Sequence, residues 1–158
     1  IRDFCLSRGL EDVYKRQAEG DEQQLVDRLR ADGDLALSLV AEDATRIVGH
    51  VAFSPVAISD GSEGWFGLGP VSVWPELQRQ GIGSALIKRG IADLRESGGR
   101  GIVLVGDPAY YARFGFECDP ALRYDGAEPR YSQRLVLEGD APHGAVNFAP
   151  AFSGARSA

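Results

Sequence analysis

The chain has 158 residues, a mass of 17.0 kDa and a formal net charge of −6 at pH 7. Its length is typical of one globular domain, and 44% hydrophobic with 25% charged residues excludes disordered, collagen-like and coiled-coil chains. The acidic balance provides no basic surface for a nucleic-acid backbone. No apolar run approaches the roughly 20 residues of a membrane span, and the first residues show no signal-peptide pattern. We therefore expect a cytoplasmic protein that binds neither nucleic acid nor membrane.

Cysteine and histidine are too scarce for several kinds of site. Cys5 and Cys118 form no C-x-x-C pair, and His50 and His143 are the only histidines. These counts predict no disulfide framework, no thiolate zinc site and no His-rich metal site. The sequence also lacks G-x-S-x-G, the nucleophile motif of α/β hydrolases. The expected chemistry therefore needs no metal.

The first part of the chain predicts a helix and then a β-hairpin. Apolar residues recur at helical spacing in an otherwise charged segment, residues 18–31, and Gly33 follows as a stop signal. Two apolar runs, residues 35–41 and 46–53, flank a polar turn. Such a pair of runs is typical of two antiparallel strands.

A bulged strand and a second helix come next. Residues 65–74 have an extended pattern that is interrupted by Gly67, Gly69 and Pro70, and these residue types inside a strand mark bulges. Residues 83–97 then present one apolar helical face. The small Gly90 on that face would let the helix lie close to a sheet.

The remaining elements complete an alternating pattern of strands and helices. The unbroken aliphatic run Ile102–Val105 predicts a central strand that is covered on both faces. Asp107 and Pro108 suit the N-cap and N1 positions of a short helix at residues 109–114. Further strands are expected near Phe116, at 133–137 and at 145–148.

Residues 1–17 fit this pattern least well. They show no clean helix or strand period, and LEDVYKRQ at residues 10–17 resembles a translated cloning adaptor. The alternative is an ordinary first strand, Ile1–Leu6, followed by a helix. The predicted organisation is a non-native or irregular segment at 1–17, a domain at 18–150 and a tail at 151–158.

The most specific motif is Q-R-Q-G-I-G-S at residues 78–84, between the bulged strand and the helix. Glycines let the backbone approach a ligand, and the N–H groups at a helix start favour an anion such as a phosphate or pyrophosphate. The motif does not match a Walker loop, which would need G-K-[ST] here. It also does not match a dinucleotide fingerprint, which would need a small residue in place of Leu86. Taken alone, the loop also fits a tight turn without a ligand.

A second motif lies further along the chain. Residues 106–116 read G-D-P-A-Y-Y-A-R-F-G-F and contain a Y-x-x-x-G-F segment, which follows Q-x-x-G-x-G after a helix and a buried strand. In this order the two motifs resemble the GNAT superfamily of N-acetyltransferases, and the likeness covers residues 18–148. The resemblance implies an α/β fold whose mixed central sheet splays open and is flanked by helices. It also implies acetyl-CoA as cosubstrate, with its pantetheine arm between the strands near Val71 and Val103.

The resemblance also implies which residues bind the cosubstrate. Backbone groups of Val71 and Val73 would pair with the pantetheine amides. Arg79 would add a cation at the pyrophosphate edge or remain a solvated surface charge. Four loop residues would surround the pyrophosphate: Gln78, Gly81, Gly83 and Ser84.

Tyr111 matches the tyrosine with which the family protonates the departing CoA thiolate. The pKa of the CoA thiol is about 8.5, so a positioned O–H donor stabilises the thiolate as it leaves in the transition state. The Y-x-x-x-G-F register selects Tyr111 over the neighbouring Tyr110, although an aromatic anchor is the alternative role for Tyr111. Asp107 stands where many members carry Asn, and its N-cap role accounts for it.

No general base for the amine can be assigned from the sequence. Glu63, His50 and Glu117 are candidates, each with an ordinary structural role as the alternative. Deprotonation through ordered water is the default. A backbone N–H at the bulge would polarise the thioester carbonyl.

These motifs predict an enzyme that moves the acetyl group of acetyl-CoA directly to a primary amine in a ternary complex. The acceptor would be a small molecule, a peptide N-terminus or a protein lysine, and homodimers are common for domains of this size. A rival interpretation is a non-catalytic acyl-CoA binding module, because no base is evident. A third is an α/β domain whose loop binds another phosphate or nothing.

Overall fold

The computed structural model describes residues 5–8 and 21–152. Within these ranges the backbone forms two β-sheets and helices that pack against them. The strands are β1 (Cys5–Arg8), β2 (Leu37–Glu42), β3 (Ile47–Pro55), β4 (Ala57–Ile58), β5 (Trp65–Val73), β6 (Gly101–Val105), β7 (Glu117–Cys118), β8 (Leu122–Tyr124), β9 (Ser132–Val136) and β10 (Gly144–Asn147). The α-helices used below are α1 (Asp21–Ala31), α2 (Ile82–Glu96) and α3 (Pro108–Tyr111).

The larger sheet of the described residues contains seven strands in the order β1-β2-β3-β5-β6-β9-β7. Its neighbouring strands are antiparallel except for β5 and β6, which are parallel. Strands β4, β10 and β8 form a second, smaller sheet. The mixed sheet with flanking helices confirms the predicted α/β fold class.

Helix α2 covers one face of the larger sheet and supplies much of the main core. Its apolar side packs against buried side chains of β2 and β3. Gly90 lies directly over Phe53, since a Cβ atom at Gly90 would come within 2.2 Å of the Phe53 ring. The predicted close approach of this helix to the sheet is confirmed.

The other predicted elements occur close to their expected bounds. Strands β2 and β3 form the predicted hairpin, and in its turn the Asp43 carboxylate accepts hydrogen bonds from the backbone N–H groups of Thr45 and Arg46. Asp107 caps α3, because its Oδ1 atom accepts from the Ala109 N–H at 2.9 Å. The predicted helix at 109–114 is in fact α3 followed by a 3₁₀ turn, Ala112–Phe114.

Four residues of the segment at 1–17 lie in the described ranges. They form β1, which pairs with β2 at the edge of the larger sheet and overlaps the Ile1–Leu6 alternative at residues 5 and 6. The rest of that segment and most of the tail at 151–158 lie outside the described residues. The assignment of residues 1–17 as non-native sequence stays a prediction.

The smaller sheet was not predicted as a sheet. Only its strand β10 was expected, because β4 and β8 have two and three residues, too few to show a periodic pattern. The smaller sheet closes a second core in which Trp65 and Val103 are buried. It therefore covers the face of the larger sheet beside the junction of β5 and β6.

The larger sheet splays open between β5 and β6. The register of β5 against β3 shifts between the pairs Val51↔Val71 and Phe53↔Leu68, so one extra residue is inserted in β5, as predicted for a bulge. Before the bulge, residues 65–67 of β5 pair with residues 101–103 of β6. Past the bulge β5 pairs with β3 alone, which leaves its other edge open and confirms the splayed sheet.

Candidate active site

The open edge of β5 presents main-chain hydrogen-bonding groups. The Trp74 N–H donates to the Val48 carbonyl of β3 at 3.1 Å. Because backbone groups alternate in direction along a strand, Ser72 also faces β3, whereas the N–H and C=O of Val71 and Val73 face the gap. The gap is thus lined by an edge that can pair with an amide-containing ligand.

The loop at residues 78–84 ends in an uncapped helix start. Gly81 is the N-cap of α2 and has a φ of 90°, a left-handed conformation that favours glycine, and no side chain caps the helix. The N–H groups of the first helical turn therefore have no capping side chain as acceptor. Arg79 also has a left-handed φ, 64°. Such backbone strain at a non-glycine residue is typical of ligand-binding loops.

One groove of about 540 Å³ joins the open edge of β5 to this loop. All seven residues predicted to bind the cosubstrate line it: Val71, Val73, Gln78, Arg79, Gly81, Gly83 and Ser84. The other lining residues are Leu77, Ile82, Tyr110 and Arg113. The groove therefore has an apolar strand end, a loop with an uncapped helix start, and an aromatic side chain with a cation beside it.

Gln78 has a role that the sequence did not reveal. Its side-chain amide donates to the Val73 carbonyl at 3.0 Å, from the side of the gap. This hydrogen bond fastens the loop to the end of β5. Gln78 thus shapes the groove through its contact with the strand as well as lining it.

The two tyrosines of α3 take different positions. Tyr110 lines the groove, and its hydroxyl lies 3.6 Å from the position of a Cβ atom at Gly83, beside the loop at residues 78–84. Tyr111 does not line this groove. Its ring packs against Gly106 at the end of β6, 2.6 Å from the position of a Cβ atom there, and against Phe116. Tyr111 therefore lies where β6 has already separated from β5.

Both tyrosines keep their protons at neutral pH. Burial raises the pKa of Tyr110, and the Arg113 guanidinium partly opposes this effect. Burial also raises the pKa of Tyr111, and the neighbouring Tyr110 adds to the increase. Each phenol can thus act as a proton donor but not as a base.

None of the three candidate bases lines the groove. Glu63 is exposed, and Glu117 is held by an ion pair with Arg134 at 2.7 Å. His50 is fully buried in β3, and its Nε2 atom lies 2.6 Å from the Ser38 hydroxyl. Burial lowers the pKa of His50 to about 3, with a smaller contribution from Arg30, so the ring is neutral at physiological pH.

The buried His50 predicts an acid-sensitive fold. In the unfolded chain the pKa of His50 is about 6.5. Below that pH the unfolded state therefore binds a proton at His50, whereas the folded state, in which the pKa is about 3, does not. Its contribution to stability is complete above pH 6.5 and is lost as the pH falls toward 3. Between pH 7 and pH 5 we expect the free energy of unfolding to fall by about 2 kcal/mol more in the wild type than in His50→Gln. Denaturant titrations at both pH values measure this difference, and equal losses would contradict it.

Arg113 is a charged groove residue that the sequence interpretation did not assign. The available signal was its spacing from Tyr110, because residues three apart share one face of a helical turn. Its Nε atom donates to the Tyr110 carbonyl at 2.8 Å, and its guanidinium lies over the Tyr110 ring at 4.5 Å. The cation is therefore held at the groove by two contacts to one residue.

Comparison with known proteins identifies the family. Residues 7–116 match the model of the acetyltransferase (GNAT) family. YhbS of Escherichia coli K12, an uncharacterized N-acetyltransferase, is 39% identical over 146 residues, which cover 89% of this chain and 87% of YhbS. The chain belongs to the GNAT family of acetyltransferases. The enzyme class predicted from the sequence, an acyltransferase, is confirmed.

Solved structures of two GNAT proteins resemble this chain over most of its length. A GNAT acetyltransferase from Brucella melitensis in complex with acetyl-CoA has a TM-score of 0.79 and 39% identity, covering 96% of this chain and 99% of that one. YhbS from Escherichia coli in complex with CoA has a TM-score of 0.87, covering 96% of this chain and 92% of that one. Over the structurally aligned residues YhbS is 32% identical, lower than in the sequence alignment.

Two further observations concern residues 5–8 and 21–152. No helix there is both long enough and apolar enough to span a membrane. In the same residues no three potential ligand side chains are grouped where they could hold a metal ion.

Proposed function

We propose that this GNAT protein binds acetyl-CoA in the groove between β5 and the loop at residues 78–84 and transfers the acetyl group to a primary amine. The observation that carries the proposal is the groove itself, which joins an unpaired strand edge to an uncapped helix start. Acetyl-CoA has the matching sequence of groups, an arm with two amides followed by a pyrophosphate. The complexes of the two related structures with acetyl-CoA and CoA support the same ligand.

The proposed binding roles follow from the direction of each group. The backbone groups of Val71 and Val73 face the gap, and the Val71 C=O and the Val73 N–H would pair with the pantetheine amides, which leaves the Val71 N–H for the thioester. The first-turn N–H groups of α2 and the Ser84 side chain would hold the pyrophosphate, where the helix dipole favours negative charge. Arg79 lines the same end of the groove and would add a cation.

The reaction needs two further functions from the protein. The bound thioester supplies an activated acetyl group and a thiolate leaving group. The Val71 N–H at the gap would donate to the thioester carbonyl oxygen, which gains charge as the amine nitrogen bonds to the carbonyl carbon. Tyr111 would give its phenolic proton to the sulfur as the C–S bond breaks.

The position of Tyr110 favours Tyr111 as this proton donor. The Tyr110 hydroxyl lies beside the loop that would hold the pyrophosphate. The whole pantetheine arm separates that end of the cosubstrate from its sulfur atom. Tyr111 lies instead at the end of β6, beside the splay into which the arm would extend.

The amine must lose a proton before it attacks. Since none of the candidate carboxylates or histidines lines the groove, we propose that ordered water carries this proton away. The acceptor would be a small molecule or a peptide amine. Its deprotonation would then depend on its own pKa rather than on a residue of this chain.

Ser84 offers a direct test of the pyrophosphate position. Ser84 is the third residue of α2, where a glutamate is well tolerated because it complements the helix dipole. Ser84→Glu should therefore fold, while its carboxylate repels the pyrophosphate and raises the Kd for acetyl-CoA by at least about tenfold relative to the neutral Ser84→Gln. Isothermal titration calorimetry measures both constants. Equal Kd values for the two variants would place the pyrophosphate elsewhere.

Transfer is tested with a panel of amines that includes polyamines, amino acids and peptides. The release of free CoA thiol and the mass of the acetylated product are followed together, with no-amine and no-protein controls. We expect thiol release that requires both protein and one class of amine. If acetyl-CoA binds but no amine is acetylated, the non-catalytic acyl-CoA binding module is the better interpretation.

A further inference from the structure

The groove is lined by a second positively charged residue besides Arg79 of the loop. This residue is Arg113, which lines the groove together with Tyr110 and with Arg79 and Gly83 of the loop. Among the described residues Arg113 forms no salt bridge, whereas Arg46, Arg89 and Arg134 each pair with a carboxylate. Its charge is therefore not neutralised by this part of the chain.

The contacts of Arg113 leave its outer N–H groups for a ligand. A guanidinium carries five N–H donors in a planar fork, and the Nε donor of Arg113 is used by the Tyr110 carbonyl at 2.8 Å. The Tyr110 ring supports the face of the guanidinium at 4.5 Å. The four Nη donors remain at the edge of the fork, which is the geometry that binds phosphate oxygens in pairs.

We propose that Arg113 binds a phosphate group of acetyl-CoA and that Tyr110 is the residue that positions it. This inference rests on the proposed function, since it assumes that acetyl-CoA occupies the groove. The loop and Arg113 would then both bind the nucleotide end of the cosubstrate. Because a phosphate is the ligand, the groove distinguishes CoA thioesters from acyl-pantetheines that lack phosphates.

Tyr110 positions Arg113 through its ring and its backbone. Without the ring, the guanidinium loses the surface that fixes its plane, although the hydrogen bond to the carbonyl remains. An arginine side chain that is not fixed in this way loses more conformational entropy when it binds a phosphate. The effects of removing Tyr110 and Arg113 should therefore not be additive.

The test compares three ligands with four proteins and one control variant by calorimetry. The proteins are the wild type, Arg113→Gln, Tyr110→Ala and the double variant; the ligands are acetyl-CoA, its 3′-dephospho form and S-acetylpantetheine. We expect Arg113→Gln to raise the Kd for acetyl-CoA at least about tenfold, as for the loss of a charge-assisted hydrogen bond. The Kd for S-acetylpantetheine should not change. Arg95→Gln, an exposed residue in the last turn of α2, removes the same charge away from the groove and should leave every Kd unchanged.

The three ligands separate the outcomes. A penalty that persists with the 3′-dephospho form supports the proposal and locates Arg113 at the pyrophosphate, and a penalty that disappears supports it and locates Arg113 at the 3′-phosphate. An equal penalty for S-acetylpantetheine, or none for acetyl-CoA, would overturn it. Additive effects of Tyr110→Ala and Arg113→Gln would overturn the role of Tyr110. If the wild type itself does not bind acetyl-CoA, the proposed function fails first.

Discussion

Replacing Tyr111 by phenylalanine should lower kcat at least about tenfold, because the departing thiolate then lacks a proton donor. The Kd for acetyl-CoA should stay close to that of the wild type, since Tyr111 does not line the binding groove. Phenylalanine keeps the ring that packs against Gly106 and Phe116, so the fold should be retained. Steady-state kinetics with a competent amine, together with calorimetric titration of acetyl-CoA, measures both quantities.

Two other tyrosine variants make this result specific. Tyr131→Phe removes a hydroxyl outside the groove and serves as the neutral control. Tyr110→Phe removes the competing hydroxyl, and we expect its effect on kcat to be far smaller than that of Tyr111→Phe. A large fall in kcat for Tyr110→Phe with normal turnover for Tyr111→Phe would reverse the assignment.

Replacing Gly90 by alanine should destabilise the protein, although the same change ordinarily stabilises a helix by about 1 kcal/mol. The new Cβ atom would lie 2.2 Å and 2.4 Å from two ring carbons of Phe53, which is fully buried. Such overpacking of a core costs about 1–3 kcal/mol. The melting temperature should therefore fall by several degrees, at roughly 2–4 °C for each kcal/mol in a chain of this size.

Two variants check that Phe53 causes this loss. Gly83→Ala lies in the same helix but meets only ordinary contacts, 3.6 Å from the Tyr110 hydroxyl, so stability should not fall. Phe53→Leu shortens the side chain, so Gly90→Ala should cost less stability in that background than in the wild type. If Gly90→Ala is as stable as the wild type, the helix does not pack on β3 as described.

The elements that position the groove were accessible from the sequence because each has a strong local cause. Glycines and a proline mark the bulge of β5, a continuous aliphatic run marks β6, and Asp107 with Pro108 marks the start of α3. These signals depend on backbone chemistry within a few residues. The smaller sheet depends instead on pairing between distant segments, such as β10 with β8, which no short pattern records.

The residues that line the groove were predictable from the sequence for similar reasons, whereas their roles stay predictions. The seven residues expected to bind acetyl-CoA all line one groove because the loop and the strand end are joined by a short segment of chain. The contact of Gln78 with the Val73 carbonyl required the fold of that segment. Arg113 lines the groove from the 3₁₀ turn that follows α3, and no motif assigned it. Tyr111 as proton donor stays a prediction that the variants above test.

The melting temperature of the full chain with and without acetyl-CoA tests most directly whether the groove binds this cosubstrate. At about 100 times its Kd a ligand that binds only the folded state adds about 2.7 kcal/mol of stability. For a chain of this size that corresponds to a rise of roughly 5–10 °C. We predict such a rise for the wild type and for Ser84→Gln, and a smaller one for Ser84→Glu at the same ligand concentration. No rise for the wild type at any acetyl-CoA concentration would contradict the acetyl-CoA site and the transfer reaction built on it.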